Sequence, residues 1–443
     1  MNNYGSRLSA DFHSPAMSSE LPAAAAAAPA AKPPSIPSAA ATTTTTLATA
    51  GDGTTTISSL GQDQLLEIFL RLPNLPALVR AALTCRSWLG AVRSSRPFRR
   101  LFRALHPAPP LGIFLEVDDS TAPSFAPLRR SDPDVIAALR RGDFFLTSLP
   151  LGDVAPRGWT VTDCRHGYIL LWNTFRAVAA VNPMTWEVDT IPVPDDVVDE
   201  GTSEFAFLSF LLLSSEENPR SFGVVCVCAD VSRVRAAVFS SGTRDWVIHP
   251  WAEIGREYGL MYGANTLVDG SVYCPFYEGR SVIKINTATM DFSSLDLPSR
   301  VIDYGQADFI VGDTKDGELC MLYASDDFYL HAWIRGVDGD GIGIWVPQLI
   351  LSLSAEIERT SGESEGKLRV VQARSGCVYL YLTCITPAGT QRSWLFYHSL
   401  GTTEIELLIN GTFDDYAYPY IMAWPPCLIG DDGATGHEVE GSH

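Results

Sequence analysis

The chain has no long apolar run. Its longest, Phe205 to Leu213, covers nine residues with Ser209 inside it, against the roughly 20 that a helix needs to span a bilayer, so a soluble protein is expected. The metalloprotease His-Glu-x-x-His, the phosphate loop and the dinucleotide fingerprint are all missing. The nine cysteines are scattered, and the one close pair, Cys226-Val227-Cys228, has no second ligand pair nearby. That spacing speaks against zinc and for reduced, buried thiols in the cytoplasm or nucleus. No metal and no cofactor are expected. Long helical patterns are also missing beyond residue 105.

Basic residues are few and concentrated. The net charge is −19, yet residues 58–110 hold eight arginines against only Asp63 and Glu67, which makes that stretch +6. Residues 1–57 contribute −1, which leaves −24 on residues 111–443. A basic helical segment is steered toward acidic partners, whereas the acidic remainder repels phosphate backbones, so nucleic acid is excluded as the expected partner.

What is present begins at Ser59. Leu65, Ile68, Phe69 and Leu72 recur at the spacing that lines one face of a helix, and Pro73 stops it. A second helix starts at Pro76 and carries Leu78, Val79, Ala82 and Leu83, with Cys85, Trp88 and Val92 extending the set. After Pro97, the residues Phe98, Leu101, Phe102 and Leu105 form a third. Three helices of about ten residues each hold their shape only by packing on one another and on something else. Residues 60–105 are therefore expected to bind a partner unaided, with the stripe uncovered inside so small a module.

The run from Leu60 to Trp88, closed by Pro97-Phe98 and Phe102, resembles the F-box: Leu-Leu, Glu-Ile, Arg-Leu-Pro, then Cys, a basic residue and Trp. It departs at Gly61, where the family usually has proline, and at Leu89, where a basic residue is common. Gly61 lowers the preorganisation of the first turn and leaves the apolar face intact. The resemblance implies docking on a Skp-type adaptor and, through it, a cullin-RING ubiquitin ligase. The residues it assigns to the adaptor are Leu60, Leu65, Leu66, Ile68, Phe69 and Leu72. Pro73, Leu75, Leu78, Cys85, Trp88 and Phe98 complete the set.

Residues 1–57, rich in Ala, Thr and Pro, have little to bury and read as a disordered tail; an organelle transit peptide would need more than Arg7 and Lys32. With the helical module at 58–106, residues 107–158 serve as linker and first strand, with one short helix expected over Pro133 to Arg141. From Trp159 the texture is β: short runs of β-branched and aromatic residues between turn signals. A phrase recurs at Cys164-Arg-His-Gly-Tyr, Val268-Asp-Gly-Ser-Val-Tyr, Lys315-Asp-Gly-Glu-Leu and Arg374-Ser-Gly-Cys-Val-Tyr. Gly167 to Gly270 is 103 residues, Gly270 to Gly317 is 47 and Gly317 to Gly376 is 59. The first gap holds two units, the missing one around Phe222 to Trp246. A period of about 50 residues with several strands per unit marks a β-propeller. Five units lie between 159 and 408, and strands at 112–117 and 420–429 complete a sixth; a two-sheet sandwich is the alternative.

The layout resembles the F-box-associated propeller of plant F-box proteins, carried by Val181-Asn-Pro-Met-Thr, Phe239-Ser-Ser-Gly-Thr-Arg-Asp-Trp and Tyr420-Ile-Met-Ala-Trp-Pro-Pro. The fold class read here is α+β multidomain: a three-helix module, then a mainly antiparallel propeller of about six blades over 159–430, then a flexible tail at 431–443. The resemblance implies a non-catalytic substrate receptor whose β domain holds a target protein. A propeller enzyme of glycosidase type is the rival, with Asp195-Asp196, Asp326-Asp327 and Asp414-Asp415 as its carboxylate pairs, although adjacent acids of this kind are usually turn residues. A non-ligase scaffold is the other. His166, His249, His331 and His398 have no nucleophile at readable spacing, and Asn410-Gly reads as a tight turn. Aspartates gathered in turns predict a negative face and a target with a basic patch.

Overall fold

The computed structural model describes residues 60–430 apart from 107, 109, 117–121, 129–131, 151–157, 174–176, 199–206, 216–217, 230–232, 254–264, 276–280, 299–308, 341–342, 387–388, 403–404 and 412–416. The expected tails at 1–57 and 431–443, and Asp414-Asp415, lie outside the described residues.

The N-terminal stripes fold as four helices, not three: α1 (Gln62–Leu70), α2 (Leu75–Ala82), α3 (Arg86–Ser94) and α4 (Arg96–Leu105). The break between α2 and α3 is made by Thr84, whose hydroxyl bonds the Arg80 carbonyl, and by Cys85, whose extended backbone caps α3. The apolar spacing continues in phase across that break, which is why it reads as one helix. Asn74 caps α2 by accepting from the Ala77 amide at 3.0 Å, and Ser95 caps α4 through Phe98. The buried Arg99 guanidinium binds the Val92 and Arg93 carbonyls and so satisfies the C-terminal end of α3.

Six sheets follow. The first joins β1 (Pro110–Leu115) to β2 (Ser124–Pro127) on one side and to β24 (Ala417–Ile421) on the other, Phe114 lying opposite both Phe125 and Tyr418. Between it and the second sheet lies α5 (Pro133–Arg141), with the bounds that the sequence predicts. The second sheet runs β3 (Thr160–Arg165), β4 (Tyr168–Asn173), β5 (Ala177–Asn182), β6 (Glu187–Pro192), and α6 (Asp195–Val198) leads out of it. The third is β7 (Phe207–Ser215), β8 (Asn218–Ala229), β9 (Arg233–Ser240) and β10 (Asp245–Ile248), with β11 (Ala252–Glu253) also on β9. The fourth is β12 (Thr266–Val268) to β15 (Phe292–Asp296) through β13 (Ser271–Pro275) and β14 (Ser281–Asn286). The fifth is β16 (Phe309–Asp313), β17 (Leu319–Ala324), β18 (Tyr329–Val337) and β19 (Gly343–Ser352). After α7 (Ser354–Ser361) the sixth is β20 (Lys367–Arg374), β21 (Cys377–Ile385), β22 (Gln391–Ser399) and β23 (Ile405–Gly411).

Each neighbouring pair of sheets buries its own core, and the six cores close a ring. Ile169 and Leu171 meet Phe114 and Tyr420 between the first and second sheets; Ile113 and Leu115 meet Tyr379, Tyr381 and Leu395 between the sixth and the first. The other four lie between consecutive sheets. This is a six-bladed propeller, and the sandwich is excluded. Blade 1 is the sixth unit expected from strands at 112–117 and 420–429: the C-terminal strand β24 completes it, and β1 and β2 belong to the propeller.

The recurring Gly phrase is the first hairpin of a blade. His166 and Gly167, Asp269 and Gly270, and Ser375 and Gly376 all have positive φ, the geometry of the two-residue hairpin turn that glycine at the second place permits. A second repeat sits at the third hairpin: Asn182-Pro-Met-Thr-Trp186, Ser240-Ser-Gly-Thr-Arg244 and Asn286-Thr-Ala-Thr-Met290 each end on a left-handed residue. Asn182 and Asn286 accept from amides two residues on. Blades are also pinned at their rims: Trp246 donates its indole N–H to the Pro192 carbonyl, and Trp345 to that of Asp296, each reaching the end of the preceding blade's outer strand.

Candidate functional site

The core of the helical module determines which of its residues can meet a partner. Leu65, Leu66, Phe69, Leu75, Leu78 and Phe98 are buried in one cluster with Phe102, Trp424, Leu428 and Ile429. Phe69 meets Trp88 edge-on at 5.5 Å, and Phe102 meets Trp424 edge-on at 6.0 Å. The expectation that residues 60–105 leave their stripe uncovered is thereby corrected, because the segment after β24 covers it. Arginines fasten the two together: Arg93 donates to the Cys427 carbonyl at 2.7 Å, Arg103 lies over the Trp424 ring, and Arg80 pairs with Asp134 on α5.

Of the sequence-predicted residues, Leu60, Leu72 and Trp88 are half-buried, while Ile68, Pro73 and Cys85 are exposed. Leu83 is 53% exposed at the end of α2, and the other large apolar side chains of the module left outward are Ile68 at 42%, Leu101 at 48% and Leu105 at 52% exposure. These lie on α1 and α4, which are tied by a 3.0 Å contact between His106 Nε2 and the Leu70 carbonyl. Leu101 and Leu105 were not among the residues assigned from sequence; they stand one turn apart beside the buried Phe98 and Phe102, a spacing at which core and surface stripes look alike.

At the propeller axis, the buried Asp163 carboxylate accepts from the Leu212 amide at 3.0 Å and from Arg374 at 3.2 Å, with Arg165 at 3.6 Å. Burial would raise its pKa, but the two guanidinium groups and the amide outweigh burial and hold it below the usual range. Burial and Arg374 lower Arg165 to about 10. The channel here, among Thr162, Asn265, Val311 and Gln372, is about 40 Å³, room for very little beyond water and far below the roughly 300 Å³ at which small-molecule pockets begin.

Beside the axis, His166 Nδ1 lies 2.9 Å from Ser214 Oγ, a juxtaposition of serine and histidine that the sequence hides across two blades. Burial, then Arg165 and Arg374, push His166 down to about 3. The carboxylate pairs stay apart: Asp195-Asp196 form α6 and not a turn, and Asp326-Asp327 turn between β17 and β18 in a non-adjacent blade. The sequence does hold one Gly-x-Ser-x-Gly, at Gly362-Glu-Ser364-Glu-Gly366, which corrects a reading without that motif; it leads from a helix into a strand, the reverse of the nucleophile elbow, and Ser364 is exposed. His331 stacks on Tyr323 and Trp333, His398 is buried in β22, and His249 follows β10. Asn410 lies in β23 opposite Trp394, which corrects the tight turn read there. Cys226 and Cys228 bring their sulfurs to 3.6 Å, and among the described residues no group of three or more His, Cys, Asp and Glu could hold a metal. Nor, among them, is any helix long and apolar enough to cross a membrane.

A ring of six blades of three to five strands, with its axis filled and a helical module fixed to its last segment, defines a propeller-bearing protein. The family described as F-box protein AT5G49610-like, beta-propeller, matches residues 160–428, and the chain belongs to that family. No curated protein matches it. Among solved structures, the β-propeller domain of Myceliophteria thermophila Cps50 (Swd1) is 11% identical over 58% of this chain and 88% of its own, with a TM-score of 0.33. A putative 6-phosphogluconolactonase from Bacteroides uniformis is 10% identical over 71% and 98%, with a TM-score of 0.30. The N-terminal domain of Nup159 is 9% identical with a TM-score of 0.29; the match covers 59% of this chain and spans 62% of that domain's length. Scores this low carry no weight for function.

Proposed function

We propose that the protein is a substrate-recognition subunit of a Skp-cullin-F-box ubiquitin ligase, with the helical module as the F-box docking a Skp-type adaptor and the propeller holding a target protein. The observation that carries this reading is the outward apolar surface of Ile68, Leu101 and Leu105, on a module whose core is otherwise closed. Half-buried Leu72 and exposed Pro73 border it. Apolar surface of this kind, with polar groups around it, is what a protein partner would cover. Membership in an F-box protein family supports the same assignment.

The role is non-catalytic. A histidine with a pKa near 3 is a poor base for Ser214. The nine free cysteines fit the reducing cytoplasm or nucleus. Co-purification of a Skp-type adaptor with the tagged full chain tests the proposal. Retention by the wild type and loss on Ile68→Asp with Leu101→Asp is the expected result; absence of the adaptor from the wild type would overturn it.

A further inference from the structure

Helix α4 has three distinct faces. Phe98 and Phe102 enter the core, Leu101 and Leu105 face outward, and Arg96, Arg100 and Arg103, at i, i+4 and i+7, share the third. The stacking of Arg103 and Phe102 on Trp424 fixes the helix so that this third face looks onto the propeller. Across a cleft of about 700 Å³ it meets the first-hairpin turns of three blades: His166 in blade 2, Thr314 and Lys315 in blade 5 and Ser375 in blade 6.

Four cations therefore line one cleft in a chain whose residues 111–443 hold −24. Two carboxylates share it. Asp313 accepts from the Ser375 amide at 2.9 Å, and its charge acts on Arg165 beneath the floor. Asp316 is the other, and His166 stays neutral at physiological pH. The balance is positive. Like charges one turn apart on a helix destabilise it, so the arrangement favours an anion between α4 and the turns. Guanidinium forks and hydroxyl donors suit a phosphate ester, whose dianion engages more than one cation at once.

We propose that this cleft binds a phosphorylated side chain of the target protein. The site rests on the receptor role above only for the identity of its ligand. Beneath α4 the turn face is basic, whereas the aspartates in turns predict at least one negative face elsewhere.

The test uses the full chain, with inorganic pyrophosphate followed by calorimetry and a degenerate phosphoserine peptide pool compared with its unphosphorylated counterpart. Arg100→Gln with Lys315→Gln, both exposed positions, is expected to weaken both phosphate ligands about tenfold or more, while Arg71→Gln on α1 changes neither. No uptake of pyrophosphate by the wild type, equal binding of the two peptide pools, or wild-type affinity in the double variant would each overturn the site. Pyrophosphate binding without phosphopeptide binding overturns its assignment to a protein ligand. Adaptor binding is read in the same preparations: its absence with phosphate binding intact counts against the ligase role and leaves the cleft standing.

Discussion

The guanidinium of Arg103 lies 4.5 Å from the ring centre of Trp424, so the last helix of the N-terminal module is stacked on a residue three positions past the strand that closes the propeller. The module thus shares its core with the segment that follows the propeller's last strand.

Trp424→Ala should cost about 3–5 kcal/mol, the range for emptying a buried large aromatic site. Amide exchange should accelerate over residues 62–105 with little change in blades 3 to 5, because Trp424 packs on the module and not on those blades. Uniform acceleration, or none, would contradict the packing of the module on the segment after β24.

Leu65→Ala and Ile68→Ala should separate stability from binding. Leu65 is 6% exposed, and its truncation is expected to lower unfolding free energy by about 2–5 kcal/mol. Ile68 is largely outside, so its truncation should change stability by no more than about 0.5 kcal/mol while weakening adaptor capture. Urea titration with a parallel pull-down gives both numbers for each variant.

Gly61→Pro should be tolerated and mildly stabilising. Gly61 has φ −64, which proline matches, and an added Cβ would meet only Gln64 Oε1 at 3.9 Å. The loss is one exposed bond from the Gly61 amide to Gln64 at 3.2 Å. A gain of about 0.4–1 kcal/mol from restricting the unfolded chain is expected, less that bond's small contribution. A lower melting temperature would show that the amide matters more than the restriction.

Acid should destabilise the protein in two stages. His166, near 3 when folded and about 6.5 when unfolded, leaves the unfolded chain holding the extra proton between those values. Stability is therefore lost as pH falls through that window, by about 1.4 kcal/mol per unit. Asp163, held low, contributes stability that is present above about 3.9 and is lost below it. His166→Asn, a residue that accepts the φ of 47 found there, should lose about 2 kcal/mol less than wild type between pH 7 and pH 5. Equal losses in paired urea titrations would remove His166 from the account.

Gly312→Ala should strain the ring. A Cβ there would stand 2.5 Å from the Ala373 carbonyl oxygen, where the inner strands β16 and β20 approach. Overpacking of this kind costs about 1–3 kcal/mol, readable as a lowered urea midpoint with the slope unchanged.

Local chemistry made much of this architecture legible in the residues alone. The stripe of Leu65 and Phe69, the proline at 73, the helix at 133–141 and the glycines at 167, 270, 317 and 376 each report on a few neighbouring residues, because helical period and positive φ are decided within one turn. Those glycines, with the unit around Phe222 to Trp246 and the strands at 112–117 and 420–429, led to about six blades. The second repeat, ending at Trp186, Arg244 and Met290, was equally local; its weaker spelling hides it, since no glycine stands at the left-handed position. Tertiary structure alone decided the rest: that Phe114 pairs with Tyr418, that Trp424 completes the core around Phe102, that Ser214 reaches His166 and that Lys315 faces the α4 arginines. Those partners lie far apart in the chain, and no periodicity connects them. They meet only because closing a ring of six blades brings the two ends of the propeller together, and the last strand carries its tryptophan onto the first helices.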